Sequence, residues 1–134
     1  MSIALSIAAS GLAAASLRLE VSASNIANAL SFGPLPTAKN AAGFPPAYIP
    51  LRVDQTEVAG GGTAAKAVPV LPNYVPVYDS TAPYADSQGI VAAPNVDLGS
   101  QFIETLLARY TFAVNAKVAS ADIRMTNSLL DFTA

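Results

Sequence analysis

The chain has 134 residues, 52% hydrophobic and 12% charged, with a formal net charge of -2 and neither Cys nor His. The missing residue types exclude disulfides, thiolate chemistry, Ser-His and Cys-His nucleophile pairs and Cys-based zinc sites; carboxylates remain as the only strong side-chain metal ligands. Lys and Arg are few and scattered, so there is no basic stripe for nucleic acid, and a mean hydropathy of +0.42 is high for a free monomer of this size, which points to burial against partners.

No charged residue precedes Arg18. A secretory signal would carry its basic residues ahead of the apolar run, not behind it. The stretch is also too rich in Ala and Ser for a membrane span, which takes about 20 predominantly apolar residues. The expectation is an uncleaved helix that is not membrane-inserted.

All ten prolines lie between Pro34 and Pro94, which leaves both flanks free to be helical. Three segments are expected: an N-terminal helix over 1–32, a Pro/Gly-rich extended or short-β segment over 33–94, and a C-terminal helix over 95–134. The fold class is mainly α, with the long terminal helices paired as a coiled coil.

In the first helix Leu5, Leu12, Leu19 and Ile26 recur every seven residues, with Ala8, Ala15, Ser22 and Ala29 three positions after each. This is a heptad seam whose second position is small, so another backbone can come close. Ile3, Ile7, Ala14, Leu17 and Val21 form a second row about 200° around the helix. One partner helix cannot cover both rows, which favours a multi-helix assembly. Ser22, Ser24, Asn25 and Asn28 make a polar knot near the helix end that can terminate the helix, bond across an interface, or both.

In the middle, Ala47 to Asp54 alternates, with Ile49, Leu51 and Val53 on one side, and Ala67 to Leu71 is a second strand candidate across Gly60-Gly61-Gly62. Prolines demote both to edge strands. The triple glycine is read as a loop, since no Lys-Ser or Lys-Thr follows it to make a phosphate cradle. Asp79, Asp86 and Asp97 are spaced seven and eleven residues apart, unlike a calcium loop, and Asp86-Ser87-Gln88-Gly89 reads as a turn with Asp first and Gly fourth.

The last segment carries Ile103, Leu107, Tyr110, Val114, Val118, Ala121, Met125, Leu129 and Phe132, in steps of three and four. That is one continuous helical stripe. Asn95 or Asp97 can cap the helix start. Contact residues are expected at Leu5, Leu12, Leu19 and Ile26 facing Leu107, Val114, Val118 and Met125, with Asn25, Asn28 and Asn115 as polar fixings. No catalytic residue, metal site or cofactor is expected.

Ser24-Asn25-Ile26-Ala27-Asn28, preceded by Ile7-Ala8-Ala9-Ser10-Gly11-Leu12, resembles the N-terminal signature of bacterial flagellar axial proteins, which build rod and hook. Tyr78-Asp79, Pro83, Ala85-Asp86, Gly89-Ile90-Val91 and Pro94-Asn95-Val96-Asp97, leading into Ala108-Arg109-Tyr110 and Asn115, resemble a proximal-rod subunit of that family. The chain departs from the family at Ala29 to Gly33 and at Ile90. The resemblance implies a homo-oligomer that stacks helically in the basal body, spans the periplasm within the rod and transmits torque to the hook. Its implied partners are the other proximal-rod proteins, the basal-body junction protein and the flagellar type III export apparatus, with no nucleic acid and no small-molecule substrate. An injectisome rod or needle subunit shares the two-helix logic but lacks the bridging motif from Asp79 to Asp97. A small periplasmic binding protein or enzyme reached by a cleaved signal is the third class.

Overall fold

The computed structural model describes residues 2–38 and 41–131, with only the backbone of residue 130. In chain order the elements are α1 (Ile3–Ala27), β1 (Leu51–Glu57), β2 (Thr63–Pro69), β3 (Tyr74–Tyr78), β4 (Ile90–Pro94) and α2 (Leu98–Asp131). Two long terminal helices therefore flank short antiparallel strands. Phe132, the end of the expected C-terminal stripe, lies outside the described residues.

Local chemistry sets the helix ends. Ser2 caps α1, its hydroxyl accepting the Leu5 N–H at 3.0 Å. At the other end the Asn28 backbone N–H makes the last helical bond, to the Ser24 carbonyl at 3.0 Å, its side-chain amide donates to the same carbonyl at 2.9 Å, and the helix ends at Ala27, short of residue 32. Asp97, not Asn95, caps α2: its carboxylate accepts the Gly99 N–H at 3.0 Å and the Ser100 hydroxyl at 2.7 Å. The Asn95 amide instead donates to the Pro72 carbonyl at 2.8 Å.

The Ser100 hydroxyl, and after it the Gly99 N–H, hold the Asp97 carboxyl below the usual carboxylate range. A carboxyl depressed on folding contributes stability above its unfolded value and loses it as pH falls through the folded one. Asp97→Asn keeps the capping oxygen and removes the titration. Wild-type chain is therefore expected to lose more stability on acidification than Asp97→Asn, measured by urea unfolding across the acid range; equal slopes would refute the assignment.

The helices run antiparallel, because partners early in α1 meet residues late in α2. The Ser2 hydroxyl donates to Asp122 Oδ2 at 2.6 Å, Arg18 donates twice to Glu104 Oε2 at 3.1 and 2.6 Å, and Asn25 donates to Gln101 Oε1 at 3.0 Å. Between these bonds the seam is made of small residues: Ala8, Ala15, Ser22 and Ala108 are all at most 3% exposed. Gly11 lies against Asn115 so closely that a Cβ there would stand 2.5 Å from the Asn115 side-chain oxygen. Small side chains are what allow the backbones this proximity.

β1 and β2 form an antiparallel hairpin with Leu51 opposite Pro69 and Glu57 opposite Thr63. The turn runs through Gly60, Gly61 and Gly62, all at positive φ near 95°, where a side chain would be strained. The first strand begins at Leu51, not Ala47, and the second starts at Thr63, nearer the glycines than expected. The hairpin lies along α1. Its tip is tied by the Thr63 N–H to the Ser10 hydroxyl at 3.1 Å and its base by Leu51 to Asn25.

β3 and β4 form a second antiparallel pair, with Tyr74 opposite Pro94 and Pro76 opposite Ala92. Periodicity and proline placement gave no sign of it. Ala92 exchanges both backbone bonds with Gly33, at 3.0 and 2.9 Å. Backbone groups of one residue in an antiparallel ladder point to one side, so the Pro76–Ala92 and Tyr74–Pro94 pairs are non-hydrogen-bonded. Neither proline has to donate there, and the strands tolerate them. β4 is the best buried segment, with Val91 and Ala92 at 0% and 1% exposure. The turn before it is as expected: the Gly89 N–H donates to the Asp86 carbonyl at 3.1 Å, and the Asp86 carboxylate accepts the Gln88 and Ile90 N–H groups at 2.8 Å each.

Candidate assembly interface

The residues buried between the helices leave a particular set outside. On α2, Gln101, Ala108, Asn115 and Asp122 recur every seven residues and face α1. At about 100° per residue, Ile103, Leu107, Tyr110, Val114, Ala121 and Met125 fall on the far side of the same helix. Ile103, Tyr110 and Met125 are 59%, 71% and 63% exposed. This is amphipathicity turned outward: a polar and small face inside the subunit, a bulky apolar face to solvent. Contiguous apolar stripes of this kind mark interaction surfaces.

The sequence-expected contact residues are therefore distributed as follows. Leu107, Val114, Val118 and Met125 are exposed and do not line the seam with α1 in the same chain. Leu5, Leu12 and Ile26 are half-buried and Leu19 is exposed, flanking the small residues that make the close contact. Asn28 ends α1, and its side-chain oxygen accepts the Ser31 hydroxyl at 3.3 Å. Asn115 donates to the Thr111 carbonyl of its own helix at 2.9 Å while facing Gly11.

Asn25 is 1% exposed and saturated inside its own chain. Its Nδ2 donates to the Leu51 carbonyl at 2.7 Å and to Gln101 at 3.0 Å, and its Oδ1 accepts the Leu51 N–H at 3.0 Å and the Tyr48 hydroxyl at 3.1 Å. Leu51 sits in a non-hydrogen-bonded pair with Pro69, so its backbone groups point away from β2. The Asn25 amide meets both of them as a neighbouring strand's peptide group would. It joins α1, β1, α2 and the Tyr48 segment at one point. Tyr48 and Gln101 are the partners the sequence reading missed, because no local pattern links positions so far apart.

Among the described residues no group of three or more carboxylates is placed to hold a metal ion. Asp79, Asp86 and Asp97 each accept local hydrogen bonds at a turn or cap. By length and composition α1 could cross a membrane. Within the fold, however, its Arg18, Ser22 and Asn25 form a polar band directed at α2 and β1.

Among the grooves that border α1, two flank its contact with α2. One, of about 340 Å³, lies between the helix pair and β1 and is lined by Arg18, Arg52, Gln55, Gln101 and Glu104. The other, of about 420 Å³, lies between the helices and is predominantly apolar, with Ala15, Leu19, Ala23, Ala108 and Phe112 in its walls and Glu20 and Arg109 at its rim.

Comparison with known proteins identifies the family of this chain. Residues 5–29 match the family described as flagella basal body rod protein. Over 117 residues the chain is 34% identical to the flagellar basal-body rod protein FlgC of Salmonella typhimurium, covering 84% of this chain and 82% of that protein. It is 33% identical over 115 residues to FlgC of Escherichia coli O6:H1, with the same coverage.

Proposed function

Because this chain belongs to the flagellar basal-body rod protein family and is a structural subunit of that rod, we propose that it stacks helically with copies of itself and with other proximal-rod proteins to carry motor torque to the hook. The flagellar basal body is its location, and its role there is structural, not catalytic. Assembly with other rod proteins follows from the family.

The finer reading rests chiefly on the outward apolar stripe of α2. Leu107, Val114, Val118 and Met125 on that helix, and Leu5, Leu12, Leu19 and Ile26 on α1, are proposed to contact neighbouring subunits, with Asn28 and Asn115 as polar fixings beside them. Asn25 acts differently, holding the subunit together so that these rows keep their spacing. The helix pair, α1 with α2, would form a coiled-coil layer at the core of the rod, and the segment between them would lie outside it. Seven-residue spacing on both helices supports that geometry. Torque then passes through packed side chains, whose low compressibility makes a stiff shaft without covalent links.

The resemblance adds the basal-body junction protein as a neighbour and the flagellar type III apparatus as the export route, without cleavage. Intact-mass measurement on purified, membrane-stripped hook–basal bodies tests this. The full-length chain is expected in that fraction. Absence from it would overturn the rod assignment, and a chain shortened within α1 would overturn the export route.

A further inference from the structure

The apolar stripe of α2 and the apolar groove between the helices face opposite ways. From the 100° step, the stripe lies about 130° to one side of the α2 seam, and the groove opens on the other side of the helix pair. A surface that fitted itself would give a closed two-fold dimer. Two different surfaces on opposite sides give a head-to-tail contact that can repeat.

Their shapes and charges match. On the α1 side the groove is walled by the small residues Ala15, Ser16 and Ala23 beside Leu19, and on the α2 side by Ala108 and Phe112, while the stripe presents Leu107, Tyr110 and Val114. Glu20 stands on the α1 wall, and it is exposed and without an ion pair among the described residues. Lys117 and Arg124 flank the stripe on α2, also exposed and unpaired in that sense. The acids of the α2 body, Glu104 and Asp122, are turned inward to Arg18 and Ser2. The other edge of the stripe, at Val118, is uncharged and can lie beside Arg109 on the opposite rim.

We propose that the groove between α1 and α2 receives the outer stripe of α2 from a second copy of this chain, with Glu20 opposite Lys117, so that copies stack head to tail. The inference rests on the rod reading and specifies which faces meet. It makes the stripe a donor surface and the groove an acceptor surface, with each subunit using both at once.

The chain has no Cys, so introduced thiols report contacts without background from this chain. Ser16→Cys, Ala23→Cys and Ala121→Cys are small changes at exposed positions. If Glu20 lies opposite Lys117, Ala121 falls one helical turn away from that contact, near Ser16 in one helix direction and near Ala23 in the other. Full-length variants are expressed in the flagellated bacterium, basal bodies are isolated and oxidised, and the chain is detected on non-reducing gels.

Chains carrying Ala121→Cys together with either Ser16→Cys or Ala23→Cys are expected to give a ladder at multiples of the chain mass, and which combination does so reports the helix direction. Each single variant should remain monomeric on the gel. Dimers from single variants, bands whose spacing fits a different rod protein, or no ladder from either combination would overturn head-to-tail docking. Copurification of the chain with basal bodies separates the two hypotheses: with it, a failed ladder refutes the docking alone; without it, the rod reading fails.

Discussion

Asn25→Ala is expected to lower the free energy of unfolding by about 2–4 kcal/mol, since leaving each buried polar partner unsatisfied costs about 1–3 kcal/mol. The substitution strips Leu51 of partners for both its N–H and its carbonyl, and Tyr48 and Gln101 each lose a bond. Urea unfolding gives the magnitude, and amide exchange at Leu51 locates it, with faster exchange at that residue than at β4. Asn25→Asp should be at least as damaging at neutral pH, because a carboxylate cannot donate to the Leu51 carbonyl 2.7 Å away. Acid should partly relieve it by restoring a donor. A loss below about 1 kcal/mol in Asn25→Ala would mean that water replaces the amide.

Leu107→Asp combined with Val114→Asp has the opposite profile. Both side chains are on the outward face of α2, 47% and 42% exposed. Exposed substitutions away from special features change stability by about 0.5 kcal/mol or less, so the isolated subunit should keep its helicity and unfolding midpoint. In an apolar subunit contact, two carboxylates without partners cost several kcal/mol, enough to abolish assembly. Swimming in soft agar is therefore expected to be lost, with the variant absent from isolated basal bodies although still synthesised. Normal motility would show that the stripe stays solvent-exposed in the rod. A folded subunit that cannot assemble is the signature of an interface, whereas Asn25→Ala weakens the subunit itself.

The comparison of these two sites indicates how α2 carries two functions. Its inward face is chosen for proximity and hydrogen bonding, through Ala108, Asn115 and the inward acids. Its outward face is chosen for bulk. Arg18 and Glu104 at the seam are partly exposed, so their pairing contributes modestly and serves to set register. The hairpin adds a second brace, since its tip at Thr63 and base at Leu51 are fixed to α1 at Ser10 and Asn25.

Several features were determined by the sequence alone, because each depends on neighbours a few positions away. Proline exclusion from the flanks placed the helices, Asp97 among the named cap residues starts α2, and Asp86 to Gly89 makes its turn. The Ser24 to Asn28 motif, with the later Asp79 to Asp97 run, pointed to the family. Tertiary structure decided which helix faces meet. Apolar periodicity selects the largest side chains as the seam, and so directed Leu107, Val114, Val118 and Met125 towards α1. Within one chain the close contact is made instead by Ala8, Gly11, Ala15 and Ala108, whose value lies in letting backbones approach and leaves little trace in hydrophobicity. The β3–β4 pair escaped for a related reason: Pro76 and Pro94 forbid strands only where a backbone donor is required, and whether it is required depends on the partner strand and Gly33. Asn25 is the sharpest case, since its position at a helix end fits local capping equally well. Only Leu51, brought alongside by the fold with two free backbone groups, made it the point where the subunit is fastened.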